Sequence, residues 1–290
     1  MEIIFQQFIN GIVSGSTYAL IGLGLTLIYG VMGLVNFAHG EFAMIGGFTT
    51  FYLVAQQQGS YLPAILVAVL AAAIAGIVVD LVAFYPLRKA NPLNLMLSSL
   101  GVSIFLVNLS QYIFSADPRK TPTKFMESVY HLGGASITGQ RVIIIVASII
   151  LAAGIYLLVQ KTSFGRAVRA ASLDAETALL YGVNTDKVAF FTFALGTALA
   201  GATGALVGPL FDVYPTMGLP LTMKAFVVVV LGGMGSIPGA IIGGLIIGLA
   251  ESFASLISSR YTELFVYLIL LLVLIFKPHG IFRRYREEKV

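Results

Sequence analysis

Cysteine is absent from the chain, which excludes a disulfide framework, a thiolate metal site and a catalytic thiol, and leaves the redox compartment unmarked. Charge is scarce as well. Charged residues make up 10% of the sequence, against roughly 25% in soluble domains, too little to cover a water-facing surface. The dipeptide Gly-Lys does not occur, so the phosphate-cradling loop G-x-x-x-x-G-K-[ST] is missing and ATP cannot be bound and hydrolysed in the usual way. His39, His131 and His279 lie far apart and lack a metal spacing such as H-E-x-x-H. Isolated serines within apolar sequence support no Ser-His-Asp arrangement. These absences predict no catalytic residue, no metal ligand and no cofactor, and leave transport or scaffolding.

What is present is apolar. Hydrophobic residues make up 58% of the chain, and the mean hydropathy is +0.94. A run such as VIIIVASIILAAGIYLLV, at 142–159, is long enough to cross a hydrocarbon core of about 30 Å as a helix. Backbone polar groups in lipid must be paired within their own segment, so such runs are predicted to be helices. The alternation that a membrane β-barrel needs is missing. The predicted fold class is therefore all-α: a polytopic transmembrane helical bundle forming one domain over 1–290. Segments are expected at 8–30, 36–56, 61–84, 94–115, 141–160, 187–208, 221–233, 238–257 and 261–277. Two are weak. The stretch 221–233 is short and 36–47 begins with the polar string NFAHGE, so either can be broken or re-entrant. The opening MEIIFQQFING has no Lys or Arg before its apolar run, unlike a cleavable signal peptide, so the first helix is expected to be retained.

The net charge of +4 does not point to nucleic acid, because no basic, aromatic-interleaved face exists. Basic residues instead cluster beside helices. The tail from Lys277 onward, the loop around Arg88 and Lys89, and the loop 161–187 hold most of them. Arg119, Lys120, Lys124 and Arg141 about the long 116–140 loop, with Lys224 and Arg260, are the rest. The positive-inside bias then places the C-terminus in the cytoplasm and, with nine segments, the N-terminus and the 116–140 loop outside.

Within the 161–187 loop, SLDAETALLYG reads as a short helix. Ser172 is its expected N-cap, Asp174 lies in its first turn and Gly182 stops it. Leu173, Thr177 and Leu180 recur at helical spacing, with Asp174 and Glu176 beside them. A helix lying on anionic lipid would favour Lys and Arg on its polar face, so acidic residues there favour docking to a cytoplasmic partner.

Small residues recur every fourth position: Ala64, Ala68, Ala72 and Gly76, then Gly196, Ala200, Gly204 and Gly208. Gly235, Gly239 and Gly243 repeat the pattern, and Gly244 with Gly248 adds a further face. Such stripes allow close helix approach in lipid and by themselves name no ligand.

Helix breaks say more. NFAHGEF at 36–42 and GGMGSIPG at 232–239 put polar residues and turn formers at the heads of apolar helices. Broken helices in transporters line the substrate path, which makes Asn36, His39, Glu41 and Ser236 candidate path residues. The other reading is an interfacial turn, with His39 and Glu41 among headgroups. Away from the loops, Asp80, Asp212, Lys224, Glu251 and Glu263 are further ionisable residues, most of them near predicted helix ends within reach of water. Glu251 lies deepest, within reach of Lys224 or Arg260, and a proton-relay role for it stays open.

Three stretches carry a resemblance. They are NGIVSGSTYALIGLGLTLIYGVMGLVNFAHGEFAMIGGF, TSFGRAVRAASLDAETALLYGVNTDKVAFFTFALGTALAGATGAL and VVVVLGGMGSIPGAIIGGLIIGLAES. In this order they resemble the branched-chain amino-acid permease family of bacterial ABC importers, in its shorter membrane subunit. The resemblance implies location in the bacterial inner membrane and a second, homologous but different permease chain. It also implies a periplasmic substrate-binding protein and two cytoplasmic ABC ATPase subunits that use the ATP. The short acidic helix then becomes the coupling helix, with Asp174, Glu176, Leu180 and Gly182 as coupling residues by position. The E-A-A…G coupling signature of many importers is present only loosely, as D-A-E-T-A-L-L-Y-G. A permease for another small solute such as urea, an ion-coupled transporter using Glu251 or Glu41, and a non-transporting scaffold are the alternatives.

Overall fold

A computed structural model describes residues 2–88, 90–132, 134–277 and 280–282. Lys89, His279 and the basic tail beyond 282 lie outside the described residues. Eleven α-helices follow one another: α1 (Glu2–Met32), α2 (His39–Phe51), α3 (Tyr61–Val79), α4 (Pro92–Phe114), α5 (Gly139–Lys161), α6 (Ser163–Leu173), α7 (Ala175–Leu180), α8 (Thr185–Val207), α9 (Gly218–Gly232), α10 (Ile237–Ile257) and α11 (Thr262–Phe276). Short π-helical turns, Tyr52–Gln56 and Asp80–Phe84, extend α2 and α3. Seven helical stretches are long and apolar enough to cross a membrane, while α2 and α9 are shorter.

The helices sort into an inner and an outer set by what surrounds them. In its most apolar window α1 is 89% buried and α8 72%, against 22% for each of α3, α4 and α5 and 6% for α11. The outer helices turn Leu66, Leu70, Ile104, Phe105, Ile149 and Leu271 outward, as lipid permits. A helix enclosed by others cannot gain stability by leaving lipid, since lipid is as apolar as its neighbours; it needs close backbone approach. The glycine stripes supply that approach. On α10, Gly244 and Gly248 lie against the backbone of Ala19 and Gly15 on α1, leaving no room for a side chain. The buried face of α3 is Tyr61, Ala64, Ala68, Ala72 and Gly76, which meets Gly201 and Thr197 on α8. Gly204 of α8 abuts the carbonyl of Ala43 on α2.

The two ends of the described chain lie on opposite faces. Glu2 and Gln6 reach Gly134 and Ser136 in the loop after α4, whereas Ile281 and Phe282 bond to Leu231 and Gly232 beside α6. Read along the described residues, the chain passes between the faces nine times, as the sequence suggested. Seven passes are full helices. The other two are α2 with the extended stretch before it, and α9 with the loop before it.

Several details differ from expectation. The loop after α4 contains a β-hairpin, β1 (Val129–Leu132) with β2 (Ala135–Thr138), paired antiparallel with Val129 opposite Thr138. The 161–187 loop holds two helices, because Thr162 caps α6 by accepting a hydrogen bond from Gly165 N. Leu173 ends α6, so it shares no face with Thr177 and Leu180. Ser172 is not the cap; its hydroxyl donates to Arg169 O at 2.9 Å, within α6. Asp212 lies in the loop between α8 and α9, while Lys224 lies on α9, within the segment expected at 221–233.

Candidate functional sites: a central break, two cavities and a capped short helix

Gly33, at φ +63°, follows the end of α1, and the chain runs without helix through 33–38 before α2 begins. Backbone groups freed by such a break need partners, since lipid offers none. Here Asn36 in the break itself and side chains from two helices, α4 and α9, provide them. Asn36 Oδ1 accepts from Ala38 N at 3.0 Å, and Ser99 Oγ of α4 accepts from Phe37 N at 3.2 Å. Thr222 Oγ1 of α9 accepts from Gly40 N at 2.8 Å. His39 Nε2 lies 3.2 Å from Ile21 O, and Ser103 Oγ donates to Glu41 Oε1 at 3.0 Å.

Asn36, His39 and Glu41 are all fully buried. Ile21 is about 28 Å along α1 from Glu2, so the break sits inside the bundle and the headgroup reading of His39 and Glu41 is corrected. Gly218 opens α9 directly against the Glu41 carboxyl, where any larger residue would collide with it. The start of α2 and the start of α9 therefore meet around one carboxyl group, the end of a helix at which negative charge is favoured.

A second polar cluster lies on the other side of α9. Lys224 Nζ donates to Glu251 Oε1 at 2.6 Å and to Tyr18 OH at 2.8 Å, with side chains of the charged pair only 16% exposed. Glu251 is thus paired with Lys224 and not with Arg260. A third cluster ties α3 to the start of α8: Arg88 reaches Asp80 at 2.7 Å and Asp186 at 3.0 Å. Asp80 is fully buried, not near water as its place toward a helix end suggested. The serine pair Ser99 and Ser103, one turn apart, carried the only sequence signal for the partners of the break.

Two cavities flank α1. One, of about 310 Å³, lies toward the face that holds the N-terminus, between α1, α5, α8, α9 and α11. The other, of about 180 Å³, lies toward the opposite face and is lined by Thr26, Arg169, Ser172, Ser236 and Phe282 among others. Between Tyr18 and Thr26, Leu20, Ile21, Leu23 and Leu25 are closed off completely or nearly so. Of the path candidates, Ser236 lines the smaller cavity and also caps α10 by accepting from Gly239 N at 3.1 Å. Asn36, His39 and Glu41 line neither cavity.

On the face of the smaller cavity, α6 docks against α8 through Val168, Ala171 and Val188, and α7 follows α6. Asp174 is the N-cap of α7: its Oδ1 accepts from Glu176 N and Thr177 N at 3.1 and 3.0 Å. Gly182, at φ +82°, ends the helix, with Gly182 N donating to Leu179 O and Val183 N to Ala178 O. That pair of bonds is a Schellman stop, which needs the left-handed backbone that glycine adopts without strain. Only Ala178 of α7 is buried; Glu176, Leu179, Leu180 and the adjoining Tyr181 point away from the bundle.

A bundle of apolar helices, closed by glycine contacts and interrupted at its middle, defines a multi-pass α-helical membrane protein. Comparison with known proteins gives the particular family: over residues 7–274 the chain belongs to the branched-chain amino acid transport system permease component family. It is 38% identical to the high-affinity branched-chain amino acid transport system permease protein BraD of Pseudomonas aeruginosa, over 98% of this chain and 97% of that protein. Identity to the LivH permease protein of Escherichia coli K12 is 38%, over 82% of this chain and 81% of the relative. A probable LivH permease of Methanocaldococcus jannaschii is 32% identical over 80% of this chain and 75% of its own length. No solved structure matches.

Proposed function

We propose that this chain is a membrane-spanning permease subunit of an ATP-driven importer for leucine, isoleucine and valine. Residues 1–290 act as one transmembrane domain in the bacterial inner membrane. The face bearing α6, α7 and the C-terminus is cytoplasmic, and the 116–140 loop is outside. A periplasmic substrate-binding protein delivers the amino acid. A second, different permease chain completes the path, lipid covers the outer helices, and two ABC ATPase subunits consume the ATP. The chain itself binds no cofactor.

The observation that carries this reading is α7. It is a six-residue helix held by a cap at each end, with Glu176, Leu179, Leu180 and Tyr181 presented outward. Exposed apolar side chains beside a carboxylate suit a groove in a protein partner better than an anionic lipid surface. Asp174 and Gly182 shape this helix, while Glu176 and Leu180 make the contact. Packing links α7 to α6, and α6 supplies Arg169 and Ser172 to the inner cavity. ATP-driven movement of the partner thereby reaches a path-lining element, and the path alternates between its two openings because each state binds the partners differently. Ser236 lines the inner end of the path. Asn36, His39 and Glu41 join it only when α2 and α9 separate.

Reconstitution tests the reading. Vesicles containing the assembled complex should accumulate leucine when ATP is supplied to the ATPases, and replacing Glu176 and Leu180 should release the ATPases from the membrane complex. Accumulation by this chain alone, or uptake that needs an ion gradient and no ATP, would refute it. For the ion-coupled alternative, Glu251 is held in an ion pair with Lys224, which leaves Glu41, bonded to Ser103, as the carboxylate that reading would use.

A further inference from the structure

The larger cavity has a composition that the break and the short helix leave unexplained. Its floor is Lys224, and Arg141 stands at its side; Asp212 and Glu263 carry negative charge at its wall. Among the described residues neither of these two carboxylates is in a salt bridge. Lys224 spends two of its three donors on Glu251 and Tyr18, so one N–H remains for a ligand. The rest of the wall includes Val13, Leu210 and Leu221. At about 310 Å³ the space is at the lower end for small-molecule pockets, which are mostly apolar with a few converging polar groups.

Position adds to composition. Asn10, Asp212 and Glu263 lie toward the N-terminal face, while Tyr18 is about 24 Å along α1. The cavity therefore runs from that face to the middle of the bundle, where the closed segment from Ala19 to Leu25 begins.

We propose that this cavity receives a free amino acid with an aliphatic side chain. The third donor of Lys224 takes the α-carboxylate, Asp212 and Glu263 hold the α-ammonium, and Val13, Leu210 and Leu221 surround the side chain. Opposite charges on one small ligand match opposite charges on one small wall. An anion alone would face two carboxylates, and a cation alone would face Lys224 and Arg141. The inference rests on the transport reading above and gives it a first seat for substrate on the delivery side. Binding there is weak, since a path must release what it takes up.

The absence of cysteine from this chain makes the test direct. Ser14→Cys and, separately, Leu210→Cys place a single thiol on the cavity wall. Each variant is assembled with its partner permease and ATPases, without the binding protein, in nanodiscs, and the rate of thiol labelling is read on this chain after separation by size. With about 10 mM leucine, roughly ten times a millimolar Kd, labelling should slow by about tenfold. Leucinamide and 4-methylpentanoate, each lacking one charge, should leave the rate within about twofold of the free rate. Lys224→Arg, which keeps the charge and moves the donor, should weaken the leucine effect.

Unchanged labelling in leucine at both positions overturns the proposal. So does equal slowing by either singly charged analogue, or slowing by glycerophosphoethanolamine, which would assign the space to a lipid headgroup. A thiol that never reacts at either position also overturns it, because the cavity would not be open to water. Leucine uptake by the same complex, carrying the unaltered chain and supplied with binding protein, is measured in parallel. Uptake without protection sinks only this inference, and failed uptake sinks the transport reading beneath it.

Discussion

Removing Arg88 should destabilise the bundle severely, and removing its partner Asp80 at the same time should restore most of the loss. Arg88 bridges two carboxylates in unlike surroundings: Asp80 is 0% exposed and Asp186 66%. At 2.7 Å and an effective dielectric of about 20, the attraction to Asp80 is about 6 kcal/mol before desolvation is counted. At 3.0 Å in water the attraction to Asp186 is about 1.4 kcal/mol, and pairs of this exposed kind deliver about 0.2–1 kcal/mol. The buried contact decides the outcome.

Arg88→Ala leaves Asp80 charged and enclosed, a change that costs about 3–5 kcal/mol. Asp80→Asn removes the buried charge instead. Arg88 is 15% exposed and can turn its guanidinium toward water and Asp186, so this single change should cost about 1 kcal/mol. The double variant should resemble Asp80→Asn. Reversible unfolding in mixed detergent micelles measures all three, with the folded fraction followed by size-exclusion chromatography. A loss near 1 kcal/mol for Arg88→Ala, or a double variant no more stable than Arg88→Ala, would refute the reasoning.

Further outcomes follow from the same geometry. Thr222→Val takes the acceptor from Gly40 N and should cost about 1–3 kcal/mol in the same unfolding measurement, as a buried donor left without a partner does. Gly204→Leu forces a side chain against the Ala43 carbonyl; folded protein recovered from membranes should fall sharply, while Gly101→Ala, in open space on α4, should change recovery little. Asp174→Ala removes the cap of α7 at about 1 kcal/mol, and Gly182→Val places a branched residue at φ +82°. Both should weaken co-purification of the ATPases without altering the elution of the membrane subunits, and unchanged co-purification would deny α7 its role.

How much of this was legible beforehand depends on the range of the interaction. The stripe Ala64, Ala68, Ala72 and Gly76 became the buried face of α3 because helical period and side-chain volume are local properties. Gly182 was recognisable as a stop for the same reason. The cap of α7 was misplaced by two residues, from Ser172 to Asp174. The sequence before it, TSFGRAVRAASL, forms a helix of its own, capped by Thr162, with Gly165 and Arg169 docked against the end of α5. That contact has no signature in a linear pattern.

Composition alone determined the solvent of this protein and the helical class that lipid demands, since unpaired backbone in hydrocarbon is too costly for other solutions. Tertiary packing decided the rest. It turned NFAHGE from a surface turn into a buried junction, by bringing Ser99, Ser103, Thr222 and Gly218 from two distant helices to its backbone and its carboxyl. It also gave Glu251 to Lys224 across 27 positions of sequence, and Arg88 to Asp186 across 98. Partners for buried polar groups are chosen by proximity in space, and only the folded bundle supplies that proximity.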